Sequence, residues 1–297
     1  FLQRRCKMKK TVAILSSLIL CSLSINALSL TGRPESFSQA IRTLLSHRLP
    51  NADIGIAVAD AKTGRVIYQH NAYQAYTPAS NVKILTGAAA LLSLGSNYQY
   101  QTTIGYKRAE YRNNRVHGNV YLKFSGDPTF SPQELAKMIQ ALRKKGIHRI
   151  TGNMIIDNSR FERPYYARGW AIDSMNWSYS APISSIIVHQ NFVSLNLTPN
   201  KSLGSYASVT KGIYSNYFPL TAKIKTVTGK YANKHCELYL NVTHRNEIRM
   251  GGCWPLTGKS RYLNIAVKNP FQFTSTLIKK YLKKYDVDLD GKIQIGR

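Results

Sequence analysis

From residue 36 onward, apolar positions fall into runs whose spacing separates helices from strands. Ser36 to Leu49 carries Phe37, Ile41, Leu44 and Leu45 at helical intervals, with Ser36 placed to cap the first turn. Ile54-Gly55-Ile56-Ala57-Val58 and Val66-Ile67-Tyr68 read as two strands. Between them, Asp60-Ala61-Lys62-Thr63-Gly64 has the composition of a hairpin turn. Thr77-Pro78-Ala79-Ser80 then introduces a helix bearing Val82, Ile84, Leu85, Ala88, Ala89, Leu91 and Leu92, which ends at Gly95. Apolar residues cover most of its circumference, a pattern that predicts a buried helix.

The texture changes from Asn97 to Val267. Short strand-like runs (Tyr100–Ile104, Asn119–Phe124, Met154–Ile156, Ile186–Val188 and Ser194–Leu197) alternate with Gly, Asp, Asn and Pro turns. One amphipathic helix interrupts them, Pro132 to Lys145, with Leu135, Met138, Ile139 and Leu142 on one face. Beyond Pro270 the helical pattern returns through Phe271, Phe273, Leu277, Ile278 and Leu282, and a last strand is expected near Lys292–Ile295. The fold class expected is α+β: a domain begun at 28–95, a β-rich inserted region at 96–267, and a return to the first domain at 268–297. No internal repeat or low-complexity segment is evident.

Ahead of this pattern, Met8-Lys9-Lys10 opens a basic segment, Thr11 to Ile25 is almost wholly apolar or small, and Asn26-Ala27 offers a cleavage point before Leu28. That order predicts a secretory signal peptide at 8–27, the alternative being a buried N-terminal helix. Residues 1–7 look like translated upstream sequence, and the expected location is exported and periplasmic. Hydrophobic residues make up 43% and charged residues 19%, which fits a folded protein and excludes a disordered tail. The 297 residues carry 41 Lys and Arg against 14 Asp and Glu, a formal +27. Such a field favours anionic partners: an acidic cell-wall polymer, a peripheral membrane surface or nucleic acid. The basic residues are scattered rather than gathered on a recognisable module, and an export signal argues against nucleic acid.

Export would remove Cys6 and Cys21, leaving Cys236 and Cys253. In an oxidising compartment two cysteines suggest one disulfide. His235 and His244 lie nearby, so zinc is the alternative, although the spacing fits no common zinc motif. No other metal and no cofactor is expected.

Candidate chemistry begins at Ser80-Asn81-Val82-Lys83. Residues three apart share a helical face, so the Ser80 hydroxyl and Lys83 amine can approach hydrogen-bond range. A serine needs a base to become a nucleophile, and a lysine buried among apolar side chains is pushed towards neutrality. The helix N-terminus adds N–H groups suited to an oxyanion. Ser-x-x-Lys arises by chance about once in a chain of this length, and Ser208-Val209-Thr210-Lys211 is a second instance, in a strand-like stretch with no helix to align it. The plain alternative for Ser80 is an ordinary serine at a helix start with a solvated lysine one turn on.

Several further stretches give that tetrad a context. They are Thr77-Pro78-Ala79-Ser80-Asn81-Val82-Lys83, then Phe124-Ser125-Gly126-Asp127-Pro128-Thr129-Phe130, then Ile150-Thr151-Gly152-Asn153 with Ile155-Ile156-Asp157. Tyr179-Ser180-Ala181-Pro182 and Cys236-Glu237-Leu238 with Gly252-Cys253 complete the set. In this order they resemble the low-molecular-mass penicillin-binding proteins of the D-alanyl-D-alanine carboxypeptidase/endopeptidase group, the penicillin-binding protein 4 type. The resemblance spans most of the chain after the signal. It implies a serine transpeptidase/β-lactamase-like domain with a large insertion, acting on peptidoglycan stem peptides through an acyl-enzyme. Ser80 would be the nucleophile and β-lactam target, and Lys83 its general base. Cys236 and Cys253 would pair. Asp157 lies in a segment similar to one near the family's substrate pocket, where it would meet an amino group of the stem peptide. Its alternative is a turn-capping aspartate.

The family's two later motifs, Ser-Asp-Asn and Lys-Thr-Gly, are not found in 268–297. Ser174-Met175-Asn176 and Ser194-Leu195-Asn196 have a fitting triplet but lie inside the insertion, and Lys62-Thr63-Gly64 precedes the serine as a turn. A partial reading frame is therefore expected, weak or inactive as a catalyst and poorly folding on its own. The competing reading is a non-catalytic, basic exported protein that binds anionic cell-wall polymer.

Overall fold

The computed structural model describes residues 36–212 and 214–297. The expected signal peptide at 8–27 lies outside the described residues. The chain divides into two units, Phe1–Ser93 and Leu94–Arg297.

The first unit contains helix α1 (Phe37–Arg48), strands β1 (Ile56–Ala59) and β2 (Val66–His70), and all but the last residue of helix α2 (Val82–Leu94). Ser36 caps α1 by accepting from the Gln39 N–H. β1 and β2 pair antiparallel, and Asp60 Oδ1 accepts from the N–H groups of Lys62 and Thr63 to hold the turn between them. Phe37 meets Tyr68 edge to face at 6.2 Å. The burial expected of α2 is not observed. Ile84 and Leu85 are each 72% exposed and Leu92 is 86% exposed, and Tyr68 is the one buried residue among those described in this unit. An apolar circumference records that a helix needs cover, but not which segment supplies it. One hairpin and one amphipathic helix present too little apolar surface to enclose a second helix.

The second unit begins with four short strands: β3 (Thr103–Tyr106), β4 (Tyr111–Arg112), β5 (Arg115–Val116) and β6 (Val120–Lys123). Helix α3 (Pro132–Lys144) and strands β7 (Arg149–Ile150) and β8 (Met154–Asp157) follow. Next come β9 (Phe192–Thr198), β10 (Ser208–Lys211), β11 (Leu220–Val227), helix α4 (Gly229–His235), β12 (Leu238–Val242), β13 (Ile248–Pro255) and β14 (Arg261–Ala266). Helix α5 (Pro270–Lys284) and strands β15 (Asp288–Leu289) and β16 (Ile293–Ile295) complete the unit. A full capping box between Ser131 and Glu134 starts α3, and its apolar face buries Leu135, Ile139 and Leu142. The equivalent face of α5 buries Phe273, Leu277 and Ile278 in the same core.

Two four-stranded sheets, ordered β15-β7-β5-β4 and β16-β8-β6-β3, run into one another through short bends. Three chain segments make the bends, and they repeat a pattern: Val116-His117-Gly118-Asn119-Val120, Ile150-Thr151-Gly152-Asn153-Met154 and Leu289-Asp290-Gly291-Lys292-Ile293. Each stacks on the next in parallel. Gly152 donates its N–H to the Gly118 carbonyl, and Gly291 donates to the Gly152 carbonyl. Asn119 Oδ1 accepts from the Asn153 N–H, and Asn153 Oδ1 accepts from the Lys292 N–H, each at 2.8 Å. This internal repeat is invisible to a scan for long similarity, because the three segments share little beyond a glycine and alternating apolar positions.

Within the second unit, residues 268–297 pack on its earlier strands and helix: α5 lies beside α3, β15 pairs with β7 and β16 pairs with β8. Their apolar alternation matches the strands already stacked there. Ile186–Val188, expected as a strand, is instead a buried loop. The Asn191 side chain bonds the Val188 N–H and the Ile186 carbonyl, replacing a partner strand. The remaining sheets, β11-β13-β12 and β10-β9-β14, are three-stranded.

Candidate active site

Ser80 lies in a single 3-10 turn, Ala79–Asn81, that leads directly into α2. The turn closes where Asn81 donates its N–H to the Pro78 carbonyl at 2.8 Å. Ala79, immediately before the serine, has φ of +43°, a left-handed conformation that costs an L-residue about 1–2 kcal/mol. Strain of this kind gathers where a side chain must be aimed.

The segment entering the turn is latched to the residues just before β1. Asp53 accepts from Gln74 Nε2 at 2.8 Å and from the Tyr76 hydroxyl at 3.1 Å. The Tyr76 ring lies so close to Gly55 that a Cβ there would sit 2.6 Å from it. Burial first, and then the Asp53 carboxylate, hold the Tyr76 hydroxyl above its ordinary pKa. Sequence reading passed over Asp53, Gln74 and Tyr76, because a contact across more than twenty residues leaves no periodic trace.

Lys83, on the first turn of α2, places its Nζ 2.9 Å from Ser80 Oγ. A hydroxyl and an amine at this distance can exchange a proton directly. Both residues are exposed, so the burial expected for the lysine is not observed. The second Ser-x-x-Lys behaves differently. Ser208 and Lys211 are at opposite ends of β10, where residues three apart face opposite ways, and Lys211 Nζ donates to the Phe218 carbonyl.

Asp157 ends β8 in the second unit. Its Oδ1 accepts from the Ser159 N–H at 2.9 Å, and Lys123 Nζ stands 3.7 Å from its Oδ2. Burial by itself would raise its pKa; the Ser159 hydrogen bonds and the Lys123 charge together outweigh that and hold the carboxyl below its ordinary range. The aspartate therefore caps a turn and faces an ammonium at once.

The triplets set aside earlier have other work. Asn176 bridges the Leu240 carbonyl and the Val242 N–H, bracing the free edge of β12. Ser194 and Asn196 sit on β9, and Ser194 donates to Asn264. The Gly-Asp-Pro-Thr stretch is also structural. Gly126 has φ of +78° with Phe161 packed against it, and Asp127 accepts from the Thr129 N–H and hydroxyl to turn the chain towards α3.

Cys236 and Cys253 are joined as a disulfide, their Cα atoms 5.4 Å apart. With both sulfurs committed, the alternative zinc site at His235 and His244 has lost its thiolates. Among the described residues no group of three or more His, Cys, Asp or Glu could hold a metal ion. Among them, too, no helix is long and apolar enough to cross a membrane.

Comparison with known proteins bears on this arrangement. Residues 38–297 match the family model described as the D-Ala-D-Ala carboxypeptidase 3 (S13) family. The D-alanyl-D-alanine carboxypeptidase DacB of Haemophilus influenzae is 24% identical over 251 residues, covering 84% of this chain and 52% of that protein. The D-alanyl-D-alanine carboxypeptidase of an Actinomadura species is 26% identical over 254 residues, covering 84% of this chain and 46% of that one. The crystal structure of penicillin binding protein 4 (dacB) from Haemophilus influenzae superposes with a TM-score of 0.72 at 24% identity, over 85% of this chain and 55% of its own. That likeness establishes the α+β fold. The chain spans about half the length of the curated relatives it matches.

Proposed function

The chain belongs to the D-Ala-D-Ala carboxypeptidase 3 (S13) family, and from that premise we propose that Ser80 and Lys83 are the acylating pair of a serine D-Ala-D-Ala carboxypeptidase/endopeptidase. The observation that carries this reading is the 2.9 Å contact between Lys83 Nζ and Ser80 Oγ at the head of α2. In its neutral form the Lys83 amine takes the hydroxyl proton as Ser80 Oγ bonds to the carbonyl carbon of the penultimate D-Ala. Negative charge develops on the carbonyl oxygen, where N–H groups and the positive dipole end of a helix start are favourable company. Collapse breaks the C–N bond, and the departing D-Ala amine receives the proton held by Lys83. Water then adds to the ester carbon and gives a proton to the lysine, the Ser80 C–O bond breaks, and the proton returns to the serine.

The substrate class in this proposal is the peptidoglycan stem peptide, whose terminal carboxylate suits a chain of formal charge +27. A β-lactam presents a carbonyl in place of the same peptide bond and would acylate Ser80. Asp157 would receive an ammonium of the stem peptide, the position that Lys123 Nζ now approaches. Export to the periplasm is part of the reading, supported by the disulfide, which persists in oxidising compartments. Ser174-Met175-Asn176, Ser194-Leu195-Asn196 and Lys62-Thr63-Gly64 make structural contacts, so this reading assigns them no catalytic role.

Labelling purified protein with a fluorescent penicillin tests the assignment. Covalent label on the wild type that disappears in Ser80→Ala supports it. Label that survives Ser80→Ala, or that maps to a peptide lacking Ser80, overturns it.

A further inference from the structure

The sheet β11-β13-β12 has one face in the core and one in solvent. Ile224, Leu240, Ile248 and Met250 point inward. On the outward face, register places Lys223, Gly251 and Tyr239 in one row across the three strands, with Arg249 two residues along from Gly251. Tyr206 bridges to Lys225 on the outer side of β11. Tyr206 and Tyr239 are 54% and 56% exposed, and Lys223, Lys225 and Arg249 are exposed with them.

Positive charge predominates around this face. The segment 200–262 that builds it holds ten Lys and Arg and two Glu. Glu247 pairs with Arg249, and the remaining acid, Glu237, precedes β12. Neither Lys223 nor Lys225 has a carboxylate partner in any ion pair among the described residues. Gly251 adds no side chain, so bare backbone separates Lys223 from Tyr239 and leaves a shallow floor between a cation and an aromatic ring.

We propose that the outward face of β11-β13-β12 is a docking surface for a carboxylated polysaccharide. The sugar carboxylates would meet Lys223, Lys225 and Arg249, while ring C–H faces would lie on Tyr206 and Tyr239. Strand spacing sets the two tyrosines about 14 Å apart across the sheet, too far to stack successive bases of a nucleic acid but suited to separate sugar rings with cations between them. The disulfide also fits an oxidising compartment rather than the cytosol or nucleus, where nucleic acid is concentrated. The proposal goes beyond the acyl chemistry and does not involve Ser80.

The test measures binding of the full chain to polygalacturonate, with neutral dextran and single-stranded DNA as comparators. A sheet-face triple, K223E with K225E and R249E, is set against a control triple of equal charge on and beside α3, K137E with K144E and K145E. The expected result is polygalacturonate binding that falls about tenfold or more in the sheet-face triple and less than about twofold in the control, at low salt. Tyr239→Ala, which leaves charge intact, weakens binding further at high salt, where the ionic part is screened. Equal losses in both triples would mean that net charge alone attracts the polymer, and the proposal fails. Tighter binding of DNA through the same residues would make it a nucleic-acid surface, and absence of binding to polygalacturonate would also overturn it. Because Ser80→Ala must leave polygalacturonate binding unchanged, failure here and failure of penicillin labelling are separate outcomes.

Discussion

Gly291 sits against the Gly152 carbonyl so closely that its N–H donates to it, and a Cβ added at Gly291 would overlap that oxygen. Gly152 stands in the same relation to Gly118. Three strands bend together at this point, and no side chain fits between them.

Gly152→Ala or Gly291→Ala should therefore lower stability by about 2–3 kcal/mol, since the obstruction is backbone and cannot rotate away. Thermal or denaturant unfolding of the second unit reads the change. A melting temperature within a degree of wild type would show that the bends relax without cost.

The Ser80–Lys83 contact gives the sharpest kinetic expectation. Both side chains are exposed, so Ser80→Ala and Lys83→Met should fold like wild type by circular dichroism. Ser80→Ala abolishes penicillin labelling, and Lys83→Met slows it by about 10²- to 10⁴-fold, the usual worth of a general base. A Lys83→Met protein that labels at the wild-type rate would remove lysine from the mechanism.

Acid should loosen the Arg149–Asp290 pair. Arg149 Nε reaches both carboxylate oxygens of Asp290 at 2.9 Å, and this bonding first, with the Arg149 and Arg115 charges, holds the Asp290 pKa below its ordinary 3.8. A depressed folded-state pKa contributes stability above the unfolded value, which is lost as pH falls through the folded one. Wild type should thus lose thermal stability below about pH 4 more steeply than Asp290→Asn, whose uncharged amide has no such dependence. Parallel pH profiles for the two proteins would refute the assignment.

Joining Cys236 to Cys253 closes a loop of sequence separation 17. Replacing both with serine should cost about 2–4 kcal/mol, chiefly by freeing the unfolded chain. Reducing agent should shift wild type to the same melting temperature and leave the double variant unmoved.

Local chemistry made much of this legible in advance. Ser36 ahead of α1, the Ser131–Glu134 box ahead of α3 and the alternation through β9 were readable because cap and period act over a few residues. The tetrad at Ser80 was legible for the same reason, and its 2.9 Å contact follows from helical spacing. Relations carried by distant residues were not. The Asp53 latch on Tyr76, the Asn191 side chain standing in for a strand beside Val188, and the stacking of three glycine bends depend on where the chain returns, which spacing does not encode. The exposure of α2 belongs here as well: composition records a helix's appetite for cover but says nothing of its supplier.

The rungs beside the glycines end in a lysine. Asn119 and Asn153 each extend an oxygen to the following strand, but the third position is Lys292, whose ammonium has no lone pair to offer. An arriving fourth strand would find a repelling donor where its predecessors found an acceptor. At β16, therefore, the side-chain rung passes from an amide oxygen to an ammonium, and any strand laid against it would have to pair through backbone alone.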